Sequence, residues 1–309
     1  MDTDKIAIKT NNLTKTFGNR IAVSNLNIEI KPGEIFSLLG TNGAGKTTTI
    51  KMLCCLIQPA SGSASVMGFD IIKKQQKIKE IIGVSPQETA IAGHLNTLEN
   101  LLLMGGVFGL KTVESKRRAK NLMDLMELED RKDQSRKLSG GLQRRLNIAM
   151  ALMSDPQILF LDEPTLGLDP HARKSVWNYI EKLKSEKTIL LTTHYLEEAD
   201  SLADHIAIMD KGKIIESGTS SELKKRYTSK QTLRISGDNI TAEVIEILNK
   251  QGFETNSSPN GIEIIAQELD INSIIDLLRQ NDVKIKGIEM KEPTLDDVFL
   301  SLTNRETII

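Results

Sequence analysis

The residues with the clearest chemical content run Gly40-Thr41-Asn42-Gly43-Ala44-Gly45-Lys46-Thr47-Thr48. They meet every fixed position of the pattern G-x-x-x-x-G-K-[ST]. Glycines at these places let the backbone curl until several N–H groups converge on one anion. Lys46 brings a mobile positive charge to the outer phosphates, and Thr47 offers a hydroxyl to Mg²⁺. Such a loop needs a strand before it and a helix after it. Ile35-Phe36-Ser37-Leu38-Leu39 is a short, mostly apolar run suited to a buried strand, and Thr48 to Leu56 can continue as a helix whose positive end faces the phosphates. At ordinary residue usage the pattern arises by accident in about one chain in a hundred of this length, which makes a chance glycine-rich turn the weaker reading.

Three further groups bear on the same chemistry. The continuous apolar run Ile158-Leu159-Phe160-Leu161 reads as a central parallel strand and ends at Asp162-Glu163-Pro164. Two adjacent carboxylates at that edge can divide two roles: Asp162 binds the Mg²⁺ shared with Thr47, while Glu163 orients or deprotonates an attacking water. Thr188 to Thr193 is another strand, and it delivers His194 to the same sheet edge as a candidate γ-phosphate contact. The segment Leu138-Ser139-Gly140-Gly141-Leu142-Gln143-Arg144-Arg145 opens a helix with Ser139 as N-cap, and Leu142, Leu146, Ala149, Met150 and Met153 recur on one face. Its glycine-rich start is either a second anion site or a capped helix without function; the residues alone leave both open. Phe17, in the tight Thr16-Phe17-Gly18-Asn19 segment, is equally open between stacking on a base and packing in the core.

The elements that must position these groups follow from patterning. Ile6-Ala7-Ile8, Ile21-Ala22-Val23 and Leu26 to Ile30 read as short strands, and Lys31-Pro32-Gly33-Glu34 is a turn feeding the strand before the loop. Ile81 to Gln87 is a strand ending in a polar loop, and Asn96-Thr97-Leu98-Glu99-Asn100 is a capped helix start. A helical pattern then runs to about Leu128 and closes in the polar segment Glu129 to Lys137, and a helix after Gly167-Leu168-Asp169-Pro170 reaches about Lys184. From about Tyr227 the order is strand, helix, strand, the turn Pro259-Asn260-Gly261, strand, helix, strand: a βαββαβ ferredoxin-like split. A last helix follows Pro293, with Thr294 as N-cap and Asp297 in its first turn.

Composition narrows the class. The 309 residues suffice for one large and one smaller domain, and 40 basic against 41 acidic residues give a formal charge of -1, so nothing global points to nucleic acid. Clusters such as Lys116-Arg117-Arg118 and Lys224-Lys225-Arg226 read as solvated helix faces. The polar start Met1 to Lys5 lacks the apolar core of a signal peptide, and the longest apolar run, Leu101 to Leu110, is too short for a bilayer and holds three glycines. The chain is therefore expected not to cross a membrane by itself. Cys54 and Cys55, its two cysteines, are expected on the helix after the phosphate loop as small buried thiols in a reducing cytosol.

In their order, the phosphate loop, the Gln87 loop, Leu138-Ser139-Gly140-Gly141, Asp162-Glu163, Gly167-Leu168-Asp169 and His194 resemble the nucleotide-binding domain of ABC (ATP-binding cassette) transporters over roughly the first 225 residues. The resemblance implies that Phe17 stacks on adenine, that Gly40, Asn42, Gly43, Gly45, Lys46, Thr47 and Thr48 hold the phosphates of ATP, and that Thr47, Gln87 and Asp162 attend Mg²⁺. It implies that Gln87 senses the γ-phosphate and a membrane partner, that Glu163 is the catalytic base and His194 a second catalytic residue, and that Ser139 and Gly141 contact ATP held by a second cassette. One departure stands out: the family's usual glutamine after the two glycines is replaced by Leu142, with Gln143 one place later. The ending Glu292-Pro293-Thr294-Leu295-Asp296-Asp297-Val298-Phe299-Leu300 is similar to the C-terminal extension of cassettes serving bacterial drug and antibiotic exporters.

The expected fold is thus an α/β phosphate-loop NTPase cassette at residues 1–225, with a parallel-sheet core, an antiparallel β subdomain and a helical subdomain near 88–155. A ferredoxin-like α+β accessory domain follows at 226–309. The expected function is the ATPase subunit of an exporter, working as a homodimer of cassettes on a separate integral membrane permease at the cytoplasmic face, with Leu101 to Leu110 near the groove for that permease. A soluble cassette ATPase would usually carry paired cassettes, a coiled coil or a basic surface, and a simple phosphotransferase would need neither Ser139-Gly140-Gly141 nor His194.

Overall fold

A ten-residue strand, β1 (Ile8–Phe17), pairs antiparallel with β2 (Arg20–Leu26) through bulged register between Leu13 and Thr16, and with the short β3 (Glu29–Ile30). It is longer than the three-residue strand expected at its start because it is paired on both sides. In a computed structural model, residues 6–128, 133–227, 231–258, 261–266, 269–291 and 294–304 are described. Met1 to Lys5, the first four residues of the polar segment after Leu128, Pro259-Asn260 of the expected turn and Glu292-Pro293 of the C-terminal ending lie outside the described residues.

The chain continues through β4 (Ile35–Leu39), α1 (Lys46–Leu53), β5 (Ser61–Val66), β6 (Phe69–Asp70), α2 (Gln75–Ile81) and β7 (Ile82–Ser85). Next come α3 (Thr97–Val107), α4 (Thr112–Leu125), α5 (Gly140–Leu152), β8 (Ile158–Asp162), α6 (Pro170–Lys182) and β9 (Thr188–Thr193). The first part closes with α7 (Leu196–Leu202), β10 (His205–Asp210), β11 (Lys213–Gly218) and α8 (Ser220–Tyr227). Two sheets result: an antiparallel one ordered β2-β1-β5-β6 with β3 beside β1, and a six-stranded one ordered β11-β10-β4-β9-β8-β7, parallel except for β11.

The parallel strands are buried on both faces, which is why they read as continuous apolar runs. Alternation still decides the side: Phe36, Leu38, Ile158 and Phe160 pack in one core, and Ile35, Leu159, Leu161, Ile189 and Leu191 in the other. The strand order puts the carboxyl ends of β4, β9, β8 and β7 side by side. That single edge carries the phosphate loop, His194, Asp162-Glu163 and Gln87.

Helix boundaries follow caps. Asn96 and Glu99 form a reciprocal capping box on α3, Ser139 caps α5, and Asp169 caps α6 with Pro170 in its first turn. The single helical run expected to Leu128 is broken near Gly109, whose φ is 68°. On α4 Lys116 and Arg117 are solvated as expected, whereas Arg118 is half-buried and donates to the Met153 carbonyl at 3.1 Å. Glu114 pairs with Arg117 and Arg118 at i+3 and i+4, and these guanidinium groups hold its carboxyl down at about 2. α1 ends at Leu53, so Cys54 and Cys55 follow the helix instead of lying on it; Cys54 is buried and Cys55 half-buried with φ 58°. No helix among the described residues is long and apolar enough to cross a membrane.

The chain divides into two compact units between Ser220 and Ser221, so the boundary expected at 225 falls inside α8. The second unit contains β12 (Gln231–Asp238), α9 (Ala242–Lys250), β13 (Glu254–Ser258), β14 (Gly261–Ala266), α10 (Ile271–Gln280), β15 (Lys284–Lys291) and α11 (Leu295–Asn304). Its antiparallel sheet is ordered β13-β14-β12-β15, the ferredoxin-like split. Leu233, Ile235, Ile262 and Ile264 of the sheet pack with Val244, Leu248, Ile274 and Leu278 of α9 and α10. On β12, Arg234 alternates with these buried residues and lies between Glu263 and Glu289. Thr294 and Asp297 bond reciprocally at the start of α11.

Candidate active site

α1 starts behind Gly45, whose φ of 108° is left-handed and where a Cβ would lie 2.5 Å from the Ala22 carbonyl oxygen. No side chain caps this helix. Its first N–H groups are the orphan donors of any helix start, and an anion is their natural acceptor. In front of them lies a cleft of about 540 Å³. Phe17, Asn42, Gly43, Gly45, Lys46, Thr47, Thr48, Gln87 and Glu163 line it, joined by Arg20 and Ala22, which sequence reasoning passed over. Phe17 is 53% exposed, which removes the core reading, and Lys15 Nζ sits 5.1 Å from its ring centroid.

Gly40 is not a wall of the cleft. It is wedged at the end of β4, its N–H donating to the Thr193 carbonyl at 3.1 Å, and a Cβ there would lie 2.2 Å from the Met209 carbonyl oxygen. Its own carbonyl accepts from Lys46 Nζ at 2.7 Å. That ammonium also pairs with Glu163 Oε1 at 3.0 Å, both side chains being 5% exposed. The second oxygen, Glu163 Oε2, lies 2.7 Å from His194 Nδ1. An ionised carboxylate only accepts, so Nδ1 carries the proton. Glu163 itself has φ 51°, a left-handed conformation costing roughly 1 to 3 kcal/mol in a non-glycine residue. The turn is held by its N–H, which donates to the carbonyl and to the hydroxyl of Thr192.

Asp162 Oδ1 accepts from Thr47 Oγ1 at 3.0 Å and from Thr192 Oγ1 at 2.6 Å. A hydroxyl and a carboxylate are the hard oxygen donors that suit Mg²⁺, so these residues fit that ion. Among the described residues no group of three or more His, Cys, Asp or Glu side chains could hold a metal unaided, so phosphate oxygens would have to complete the shell. Gln87 stands exposed on the cleft wall. Ser139 and Gly141 are not brought to this cleft. Ser139 Oγ caps α5 through the Leu142 N–H, and Gly141 lies where a Cβ would meet the Ala172 side chain at 3.2 Å. Leu142 packs at the edge of the core instead of reaching a polar partner.

Two buried polar residues escaped the sequence. Arg144, 4% exposed, donates to five backbone carbonyls: Pro86, Gln87, Asp162, Glu163 and Pro164. The signal was its place at the head of a buried helical stripe with Asn147, Ile148 and Ala151. Glu198 on α7 is fully buried; its Oε1 accepts from Thr165 Oγ1 at 2.8 Å and Trp177 Nε1 at 3.0 Å, and burial pushes its carboxyl up. Sequence gave no sign of it, since Leu196-Glu197-Glu198 reads as an acidic helix start.

The family profile described as "ABC transporter" matches residues 23–166, and "ATP-binding protein DrrA1-3-like, C-terminal domain" matches 218–303. The daunorubicin/doxorubicin resistance ATP-binding protein DrrA of Streptomyces peucetius is 36% identical, the alignment covering 96% of this chain and 92% of that one. The chain belongs to the ABC transporter family. This ABC protein is also 41% identical to the Nod factor export ATP-binding protein I of Cupriavidus metallidurans over 75% of its own length and 78% of the relative's. The dimeric post-hydrolysis state of the cassette MJ0796 bound to ADP and phosphate superposes with a TM-score of 0.62 at 28% identity, covering 69% of this chain and 98% of that one. As a member of the family the protein is an ATP-binding, ATP-hydrolysing subunit.

Glu198 makes a prediction about this ABC ATPase that is separate from turnover. Its folded pKa is raised, so between the ordinary carboxylate value and the raised one the folded state holds more protons than the unfolded chain. Stability from this group is complete below the unfolded value and is lost as pH rises through the folded one. In melting curves, the stability of Glu198→Gln relative to the parent should therefore rise with pH above about 4 and be flat below it. A difference independent of pH would show that the carboxyl titrates alike in both states.

Proposed function

We propose that this chain is the ATPase subunit of an exporter of amphiphilic small molecules, paired with a second copy of itself on an integral membrane permease at the cytoplasmic face. One observation carries the mechanism: Glu163 is gripped on one oxygen by Lys46 and on the other by His194, at the mouth of a cleft walled by helix-start N–H groups. The export reading is supported by relatives named for drug resistance and Nod factor export.

ATP enters with adenine on the exposed Phe17 ring and its phosphates against Asn42 to Thr48. The γ-phosphate is a stronger partner for Lys46 than a carboxylate, and it draws the ammonium off Glu163 Oε1. That frees the oxygen to accept a proton from the attacking water as the water oxygen bonds to the γ-phosphorus and the bond to ADP breaks. His194 keeps Glu163 aimed through Nδ1. Thr47 and Asp162, with Gln87 beside them, would hold Mg²⁺, which when bound neutralises charge on the outer phosphate oxygens. Ser139 and Gly141, turned away from their own cleft, supply an N-terminal anion site to ATP bound by the second copy.

In this reading the permease docks at a groove of about 320 Å³ beside the Gln87 loop, where Leu56, Val84, Pro86, Met104, Phe108 and Met150 contribute to the wall. Leu56 and Phe108 of this wall are 63 and 37% exposed, and Leu103 and Val107 on α3, which leads to Phe108, are 47 and 68% exposed, apolar surface of the kind interfaces cover. Within Leu101 to Leu110, Leu101 and Gly105 are buried and belong to the core instead.

The mechanism predicts that Glu163→Gln lowers turnover about 10² to 10⁴-fold while binding ATP more tightly, because Lys46 loses its internal competitor. Light scattering with Mg²⁺ and ATP should then find a stable dimer that Ser139→Arg prevents. Hydrolysis at the parent rate by Glu163→Gln would remove Glu163 from the chemistry. For the groove, Val107→Asp with Phe108→Asp should keep basal ATPase within about twofold but abolish co-purification with the permease and cellular export. Retained export in that double variant would place the permease elsewhere.

A further inference from the structure

Arg144 lies on α5, five residues after the Ser139 cap, and it reaches two segments that leave neighbouring strands. Nη1 donates to the carbonyls of Pro86 at 2.8 Å and Gln87 at 3.0 Å, just beyond β7. Nε donates to Pro164 at 2.7 Å, and Nη2 to Asp162 at 2.8 Å and to Glu163, at the end of β8 and just beyond it. A guanidinium has five N–H donors, and here each has its own carbonyl. β7 and β8 are paired in parallel with Ser85 opposite Leu161, so the two segments emerge side by side and one planar group spans both.

Among the described residues the charge is buried without a salt bridge to a carboxylate. Desolvation pulls the Arg144 pKa down, opposed by Glu198, Asp162 and Glu163 nearby. An arrangement this costly in desolvation is more than packing needs, since an apolar side chain of similar volume would often be neutral or better. The same helix face adds a second grip: Asn147 Nδ2 donates to Ser85 Oγ at 2.9 Å, and its Oδ1 accepts from the Ala90 N–H at 3.2 Å. The Gln87 segment is thus tied to α5 on both sides.

We infer that Arg144 is a positioning residue that fixes the Glu163 backbone and the Gln87 loop to the helix whose start carries Ser139. This inference rests on the composite site proposed above, in which Ser139 meets the ATP of the second copy. Each α5 then serves both nucleotides of the dimer: it contacts the partner's through Ser139 and acts on its own only through the segments that Arg144 holds. Engagement of ATP at one site is transmitted to the alignment of the base at the other. Since Glu163 sits in a left-handed turn that would relax if its carbonyl were released, the guanidinium also holds that turn.

The experiment uses the full chain with Arg144→Lys, which keeps the charge but offers three donors to five acceptors, and Arg144→Gln as a neutral second variant. Misplacing Glu163 by about an ångström should lower kcat roughly a hundredfold, with KM for ATP within about threefold and the Hill coefficient falling toward one. Lys should retain more activity than Gln. A merely structural role would instead lower the ATP-binding stoichiometry and the melting temperature together, leaving kcat per bound ATP and the Hill coefficient at parent values. That outcome, or parent kcat in a variant folded like the parent, overturns the inference. The two readings are separated by Glu163→Gln: if it stays monomeric with saturating ATP, the composite site has failed, whatever residue stands at 144. If Glu163→Gln/Arg144→Lys dimerises like Glu163→Gln while Arg144→Lys alone has lost kcat, the composite site stands and so does the positioning role.

Discussion

The buried ion pair between Lys46 and Glu163 is the constraint from which the site follows. It joins the phosphate loop after β4 to the turn after β8, two segments more than a hundred residues apart in the chain, at 3.0 Å in a setting where both side chains are 5% exposed. A pair so placed contributes little net stability, because desolvating both charges offsets most of their attraction. In the proposed mechanism its value lies in being replaceable: a phosphate offers Lys46 more negative charge than a carboxylate does, so substrate and internal anion would compete for one cation. Glu163 is the base in that mechanism, covered until the substrate uncovers it.

That competition works only if Glu163 cannot drift when Lys46 leaves. Three contacts hold it from different directions: His194 on the free carboxylate oxygen, Thr192 on the backbone N–H, and Arg144 on the carbonyl. They come from two elements, β9 with its end and α5, and they meet only because β8 lies between β9 and β7 in the parallel sheet. The left-handed backbone at Glu163 is stable in this company and would not be elsewhere. The carboxyl edge of the sheet gathers loops from strands distant in sequence, the usual place for a ligand in an open α/β sheet.

The second unit obeys different pressures. Its helices carry strongly one-sided apolar stripes, and its sheet alternates buried Leu233 and Ile235 with Arg234 lying between Glu263 and Glu289. Ion pairs described in it, such as Lys250 with Glu246 and Lys286 with Asp238, lie at the exposed surface, unlike the buried Lys46–Glu163 pair of the first unit. A half-buried antiparallel sheet carries its pattern in alternation, so its topology was legible from strand and helix order alone, where the parallel sheet needed the phosphate loop as an anchor.

Local patterns determined much. The phosphate loop, the caps at Asn96, Ser139, Asp169 and Thr294, strands β8 and β9, and the βαββαβ order could be read directly, because loop glycines, cap side chains and apolar runs act over a few residues. The antiparallel strands β5 and β6 and the β10–β11 hairpin could not, since short strands of mixed polarity such as Ser61–Val66 owe their existence to a partner strand. The fate of Phe17 was decided in three dimensions, where the β1–β2 hairpin carries it to the cleft instead of the core. So were the roles of Arg144 and Glu198, because a buried charge is tolerated only where carbonyls or hydroxyls from other elements meet it, and no spacing in the sequence encodes that meeting. Sequence by itself specified the chemical groups and the local turns that present them; the strand order of the parallel sheet decided which groups would touch.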